Sequence, residues 1–166
     1  MFACVDVHYK SNRAQIACLT FNAWQCTAPK SKYAIIIKHF EEYVPGQFYK
    51  RELPCILEIF DKVEEDIRVL VIDGYVWLDE KRMPGLGAHV YNALRGQVKI
   101  IGVAKSAFKG ASLAKKVFRN GSKKPLFVAS VGISPACAAL IIQKMHGSHR
   151  IPTLLKLVDQ LSRNGI

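Results

Sequence analysis

Three short, almost unbroken apolar segments, RVLVID (68–73), VKIIGVA (98–104) and LFVASV (126–131), constrain this chain more than any other feature. A strand that is apolar at nearly every position has to be covered on both faces, which requires a sheet sandwiched between helices. Four helical patterns are available to cover it. Phe48 to Val63 carries Leu53, Ile56, Leu57 and Phe60 on one face, with Pro54 early in the helix, where the first turn tolerates it. Gly85–Leu94, Ser134–Met145 and Pro152–Leu161 read as the other three. Ahead of them, Phe2–His8, Ala14–Phe21 and Lys32–Lys38 are β-rich and separated by turn residues, as an antiparallel meander should be. The predicted order is β-β-β-α-β-α-β-β-α-α. It gives an α/β fold with an antiparallel first three strands, then parallel ones, flanked by helices. With 166 residues and no linker, repeat or low-complexity segment, one domain (1–166) is expected. Lys105–Lys124, basic and containing Gly and Ser, reads as irregular and exposed.

Charge is placed unevenly along the chain. Residues 1–80 hold 9 Lys/Arg and 12 Asp/Glu, whereas Lys81 to Val158 holds 14 Lys/Arg and no acidic residue. A basic surface of that kind seeks a polyanion, because neutralising phosphates releases their condensed counterions. A membrane surface is the rival partner, but it calls for a basic amphipathic helix with bulky apolar residues opposite. Residues 105–124 fit that description poorly, so nucleic acid is favoured. No apolar run approaches the roughly 18 residues of a membrane span. The opening MFACVDVHYK lacks the basic and apolar regions of a secretory signal, so a cytoplasmic chain is expected. The five cysteines, odd in number and without a C-x-x-C pair, read as reduced thiols within apolar runs.

Three acids stand apart from solvated faces. Asp6 lies inside the first apolar strand, Asp73 closes the most hydrophobic one, and Glu52 follows Pro45-Gly46 at the start of a helix. Singly, each could cap a helix or pair with a lysine. Together, converging at one end of a sheet, they suit Mg²⁺, which prefers oxygen ligands and retains water. Lys105 ends the strand neighbouring that of Asp73. It is either an active-site ammonium that meets a scissile phosphate or one more basic surface residue. His89 fits a core or capping role as well as a site role.

The residues also carry a resemblance. The segments YVPGQFYKRELP (43–54), VIDG (71–74), GLGAH (85–89), GVAK (102–105), PLFVASVG (125–132) and RIPTLLKLVDQLS (150–162), with DVHY (6–9), follow the order and spacing of the endonuclease V family. That resemblance implies a ribonuclease-H-like fold and a Mg²⁺-dependent nick on the 3′ side of deaminated adenine (inosine) in DNA, as a repair activity. Some members act on RNA, and Mn²⁺ is the expected substitute metal. Asp6, Glu52 and Asp73 match the family's metal-binding carboxylates, and Lys105 matches its active-site lysine. Tyr43, Val44, Pro45 and Gly46 match the wedge that helps turn the base out of the stack. Gly85 and His89 match a stretch near the lesion pocket. The implied partners are DNA, possibly joined by RNA, with no membrane, and the chain is expected to be a monomer.

The chain departs from the family after VIDG. Where the family carries two histidines, it reads Tyr75-Val76-Trp77-Leu78-Asp79, so Asp79 is either an accessory carboxylate ligand or a solvated loop residue. Pro84 belongs to a one-residue insertion, and Gly132-Ile133 replaces a glycine-histidine. These departures leave open a nucleic-acid-binding relative without catalysis, or a nuclease with a different structure-specific substrate.

Overall fold

The computed structural model describes residues 1–38, 44, 45 and 47–165. Seven strands form one sheet: β1 (Phe2–Lys10), β2 (Arg13–Phe21), β3 (Ser31–Ile37), β4 (Val69–Asp73), β5 (Lys99–Ala104), β6 (Lys115–Val117) and β7 (Leu126–Val131), in the order β3-β2-β1-β4-β5-β7-β6. Helices α1 (Phe48–Phe60) and α2 (Leu86–Ala93) cover one face, and α3 (Pro135–Lys144) and α4 (Thr153–Asn164) cover the other.

The two-residue period of a strand sorts the core between these layers. Ala3, Val5, Leu70 and Ile72 pack with Cys55, Ile56 and Ile59 of α1. Cys4, Val69 and Val71 pack with Ala138 and Ile142 of α3 and Leu154 and Val158 of α4. Each fully buried aliphatic side chain contributes about 1.5–3 kcal/mol, so burial on both faces stabilises the sheet far more than any surface ion pair can. Cys4, Cys18 and Cys55 are buried free thiols within these layers. Among the described residues no helix is long and apolar enough to cross a membrane.

The meander and the parallel run β1-β4-β5 are as the sequence pattern predicts, but the far side of the sheet is not. β7 runs antiparallel to β5, and a seventh strand, β6, pairs antiparallel with β7 inside the segment expected to be irregular. A parallel neighbour needs a long crossover, usually helical. Here the residues between β5 and β7 build a hairpin instead, with Asn120 and Gly121 at positive φ (46° and 73°) in its connection.

Candidate active site

β1 and β4 run side by side with Val5 the last residue paired, to Ile72, so Asp6 and Asp73 stand next to each other where that pairing ends. Both have the parity of Cys4 and Val71 and therefore belong to the α4 face. Lys105 follows β5 one strand further on, where Asp73 is paired with Val103. Its ammonium donates to Asp73 Oδ2 at 2.9 Å and lies 3.6 Å from Asp159 Oδ1. Arg150 fixes the backbone beneath this lysine, donating to the carbonyls of Lys105 and, at 2.7 Å, of Pro125. Glu52 arrives from the opposite layer. It occupies the inward stripe Glu52, Cys55, Ile56, Ile59 of α1, where a side chain has little choice but to be buried, and it is 6% exposed.

Asp6, Glu52 and Asp73 line one cavity of about 250 Å³ together with Gly74 and Phe48. Their charges oppose one another. Burial, followed by repulsion from Asp6 and Asp73, pushes Glu52 up to about 8, even though Tyr9 supplies a hydrogen bond. Burial likewise raises Asp6 to about 6, assisted by the charges of Asp73 and Asp159, while Ser162 Oγ donates to Asp6 Oδ2 at 2.5 Å. For Lys105, burial disfavours the charge but the surrounding carboxylates outweigh it, so its pKa rises and the ammonium persists. The Lys105–Asp73 pair is more than two-fifths exposed on each side. Such pairs are worth about 0–1 kcal/mol to stability, which makes its position matter more than its strength.

An all-oxygen donor set of mutually repelling carboxylates around a cavity with room for several waters fits Mg²⁺, which needs only one or two carboxylates and keeps several waters. Among the described residues, no three His, Cys, Asp or Glu side chains already converge on a single ion position.

Beside Gly74 lies a second cavity of about 270 Å³, walled by Phe48, Tyr49, Tyr75, Leu78, Leu86 and Phe108. Gly85 also borders it. A Cβ there would lie 2.6 Å from the Tyr75 carbonyl oxygen, so only glycine lets α2 start this close to the β4 exit. His89 stacks on Tyr49 with centroids 3.7 Å apart and an interplanar angle of 13°, and burial lowers its pKa. It therefore supports one wall of the cavity as a neutral ring.

Residues 1–134 match the Endonuclease V family model. The chain belongs to the endonuclease V family. An Endonuclease V of Pyrococcus abyssi is 32% identical over 165 residues, covering 99% of this chain and 79% of that protein. One from Streptomyces avermitilis is 30% identical over 146 residues, covering 75% and 62%. The crystal structure of the Streptomyces avermitilis protein matches with a TM-score of 0.74 at 26% identity, over 98% of this chain and 79% of that one. A Ciona intestinalis endonuclease V, solved with a 24mer DNA containing an inosine followed by a ribo-adenosine, gives a TM-score of 0.83 at 20% identity, over 98% and 83%. At that identity the match bears on the fold, a mixed seven-stranded sheet with four helices like that of endonuclease V structures. Membership makes this chain a nuclease homologue.

Of the residues expected at an endonuclease V site, Asp6, Glu52, Asp73 and Lys105 meet at one end of the central strands β1, β4 and β5, Gly85 borders the neighbouring cavity, and His89 stacks on its Tyr49 wall. Val44 is 44% exposed and Pro45 is exposed, while Tyr43 and Gly46 lie outside the described residues. Asp79 stands apart from the carboxylates, and its Oδ1 accepts the Met83 N–H at 2.8 Å within its own turn.

Asp159 is the residue that sequence reasoning missed. It lies on α4 in the stripe Leu155, Val158, Asp159, Ser162, beside Lys105, and Arg163 holds its pKa low. The signal was present. Asp159 is the first acid after Glu80, and it sits on the apolar side of an amphipathic helix.

Proposed function

We propose that this chain is a Mg²⁺-dependent endonuclease that nicks DNA on the 3′ side of inosine as a repair activity. The observation that carries this reading is the meeting of Asp6, Glu52, Asp73 and Lys105 at one end of the central strands, directly beside an aromatic-walled cavity. Asp6, Glu52 and Asp73 would hold the metal, which when bound supplies an activated water and neutralises charge on the phosphate. The Lys105 ammonium is placed to donate to a phosphate oxygen as its charge grows, and the apolar floor of Val71, Val103, Leu126 and Val158 strengthens that interaction.

Phe48 and Phe108 are 44% and 50% exposed, and both border the cavity beside Asp73. Exposed aromatics at the mouth of a flat cavity suit a base that has left the stack. Tyr43, Val44, Pro45 and Gly46 are the proposed wedge. The acid-free stretch from Lys81 to Val158 supplies the charge that holds the backbone. RNA is a second substrate of the same chemistry, Mn²⁺ is the expected substitute metal, and a cytoplasmic monomer is the proposed working form.

The alternative is a relative that binds nucleic acid without cutting it. The engagement of Asp79 within its own turn, where the family has a histidine, favours that reading. The deciding experiment uses labelled single- and double-stranded DNA and RNA with and without one inosine, in Mg²⁺, Mn²⁺ and EDTA. The expected result is a metal-dependent nick 3′ of inosine that Asp73→Asn abolishes while binding persists. Salt-sensitive binding with no cut in either metal would establish the alternative.

A further inference from the structure

Tyr75 follows Asp73-Gly74 and stands where the family has other residues, yet both functions of its hydroxyl are engaged. It donates to the Ser106 carbonyl at 2.7 Å and accepts the Phe108 N–H at 3.1 Å. A phenolic O–H has one proton to give, so this pair of bonds commits it to a single segment of backbone. That segment begins immediately after Lys105. The rings of Tyr75 and Phe108 lie 5.8 Å apart at 48°, within the range of favourable aromatic contacts.

Phe108 nevertheless remains half exposed. A large aromatic held in water by a specific backbone clasp, at the mouth of a cavity, is a surface prepared for a flat partner. The cavity volume of about 270 Å³ falls just below the roughly 300 Å³ at which drug-sized ligand sites begin, so it suits one heterocycle better than a whole nucleotide.

We propose that Tyr75 is a positioning residue for substrate selection. Its hydroxyl holds residues 106–108 so that Phe108 forms the outer wall against which an everted purine packs, and this contact sets the preference for a deaminated base over an undamaged strand. The proposal rests on the nuclease reading above. It adds to that reading a named wall, and a mechanical link between that wall and the segment that follows Lys105. Tyr75 acts through Phe108, so the two residues should not contribute independently.

The test is anisotropy binding in EDTA, which needs no catalysis, of fluorescein-labelled oligonucleotides carrying inosine or adenine at one position. It compares the wild type with Tyr75→Phe, Phe108→Ala and the double variant, with thermal melts to confirm folding. Tyr75→Phe should reduce the inosine-over-adenine preference about 3- to 10-fold, the scale of a hydrogen bond lost. Phe108→Ala should reduce it about 10-fold or more, the scale of one base–aromatic stack. The double variant should match Phe108→Ala alone.

If the wild type prefers inosine and Phe108→Ala keeps the full preference, the wall is wrong. If the two substitutions add, the link through Tyr75 is wrong. A wild type with no preference at all fails the lesion-directed reading itself and removes the basis for this one.

Discussion

Carboxylates at opposite ends of the same central strands behave in opposite ways. Near the start of β4, Glu65 receives hydrogen bonds from Thr20 Oγ1 at 2.9 Å, Ser31 Oγ at 2.6 Å and Tyr33 Oη at 2.7 Å. Burial alone would raise its pKa, but these hydroxyls outweigh it and hold the carboxyl down at about 2. At the other end, Glu52 is buried and Asp6 half-buried with too few donors, and they face each other and Asp73, which leaves Asp6 near 6 and Glu52 near 8. The first arrangement joins β2, β3 and the approach to β4. The second opposes folding at neutral pH and has value only if something positive enters. Carboxylates satisfied within the chain hold it together, and carboxylates left wanting mark the proposed site.

Glu52→Gln should separate these roles most sharply. It removes a buried charge but keeps the shape, so cleavage in Mg²⁺ is expected to fall by about 100-fold or more. Stability in EDTA above pH 8 should meanwhile rise by about 1–2 kcal/mol. Chemical denaturation alongside the cleavage assay measures both, and a variant that loses stability would show Glu52 to be structural.

Glu65→Gln is the converse. It should lower stability by about 1–2 kcal/mol at neutral pH, discounted for partial exposure, and leave cleavage nearly unchanged.

The pH dependence sharpens the contrast. A raised folded-state pKa means that stability is fullest below the ordinary carboxylate value and is lost as pH rises through the folded one. In EDTA, therefore, Asp6 and Glu52 should make the protein less stable from about pH 4 to about pH 8. Glu65, with its pKa depressed, contributes stability above its ordinary value of 4.5 and loses it as pH falls toward 2. Denaturation midpoints across this range should show Glu52→Gln flattening the alkaline limb and Glu65→Gln flattening the acid one. The smallest effect belongs to Tyr33→Phe, which deletes one of the three hydroxyls and should lower the melting free energy by about 1 kcal/mol.

Much of this molecule is legible in one dimension. The near-continuous apolar runs dictate a doubly covered sheet because no other arrangement hides both faces of a strand. The helical stripes fall within three residues of their observed limits at Phe48–Phe60, Leu86–Ala93, Pro135–Lys144 and Thr153–Asn164. Asp6, Glu52 and Asp73 stand out as acids apart from solvated faces, Lys105 stands out by ending the strand next to that of Asp73, and the family motifs point to the same four. The direction of β7 and the existence of β6 were not legible, because a strand's own residues do not say which neighbour it will meet or in which sense. Nor was Asp159, which needed α4 to be laid on the face shared by Asp6, Asp73 and Lys105. Composition and periodicity decide locally what must be buried. Which charges then stand within a few ångströms, and whether a hydroxyl such as that of Tyr75 finds Ser106 and Phe108, depends on parity and register across strands far apart in the chain, and only the tertiary structure decides that.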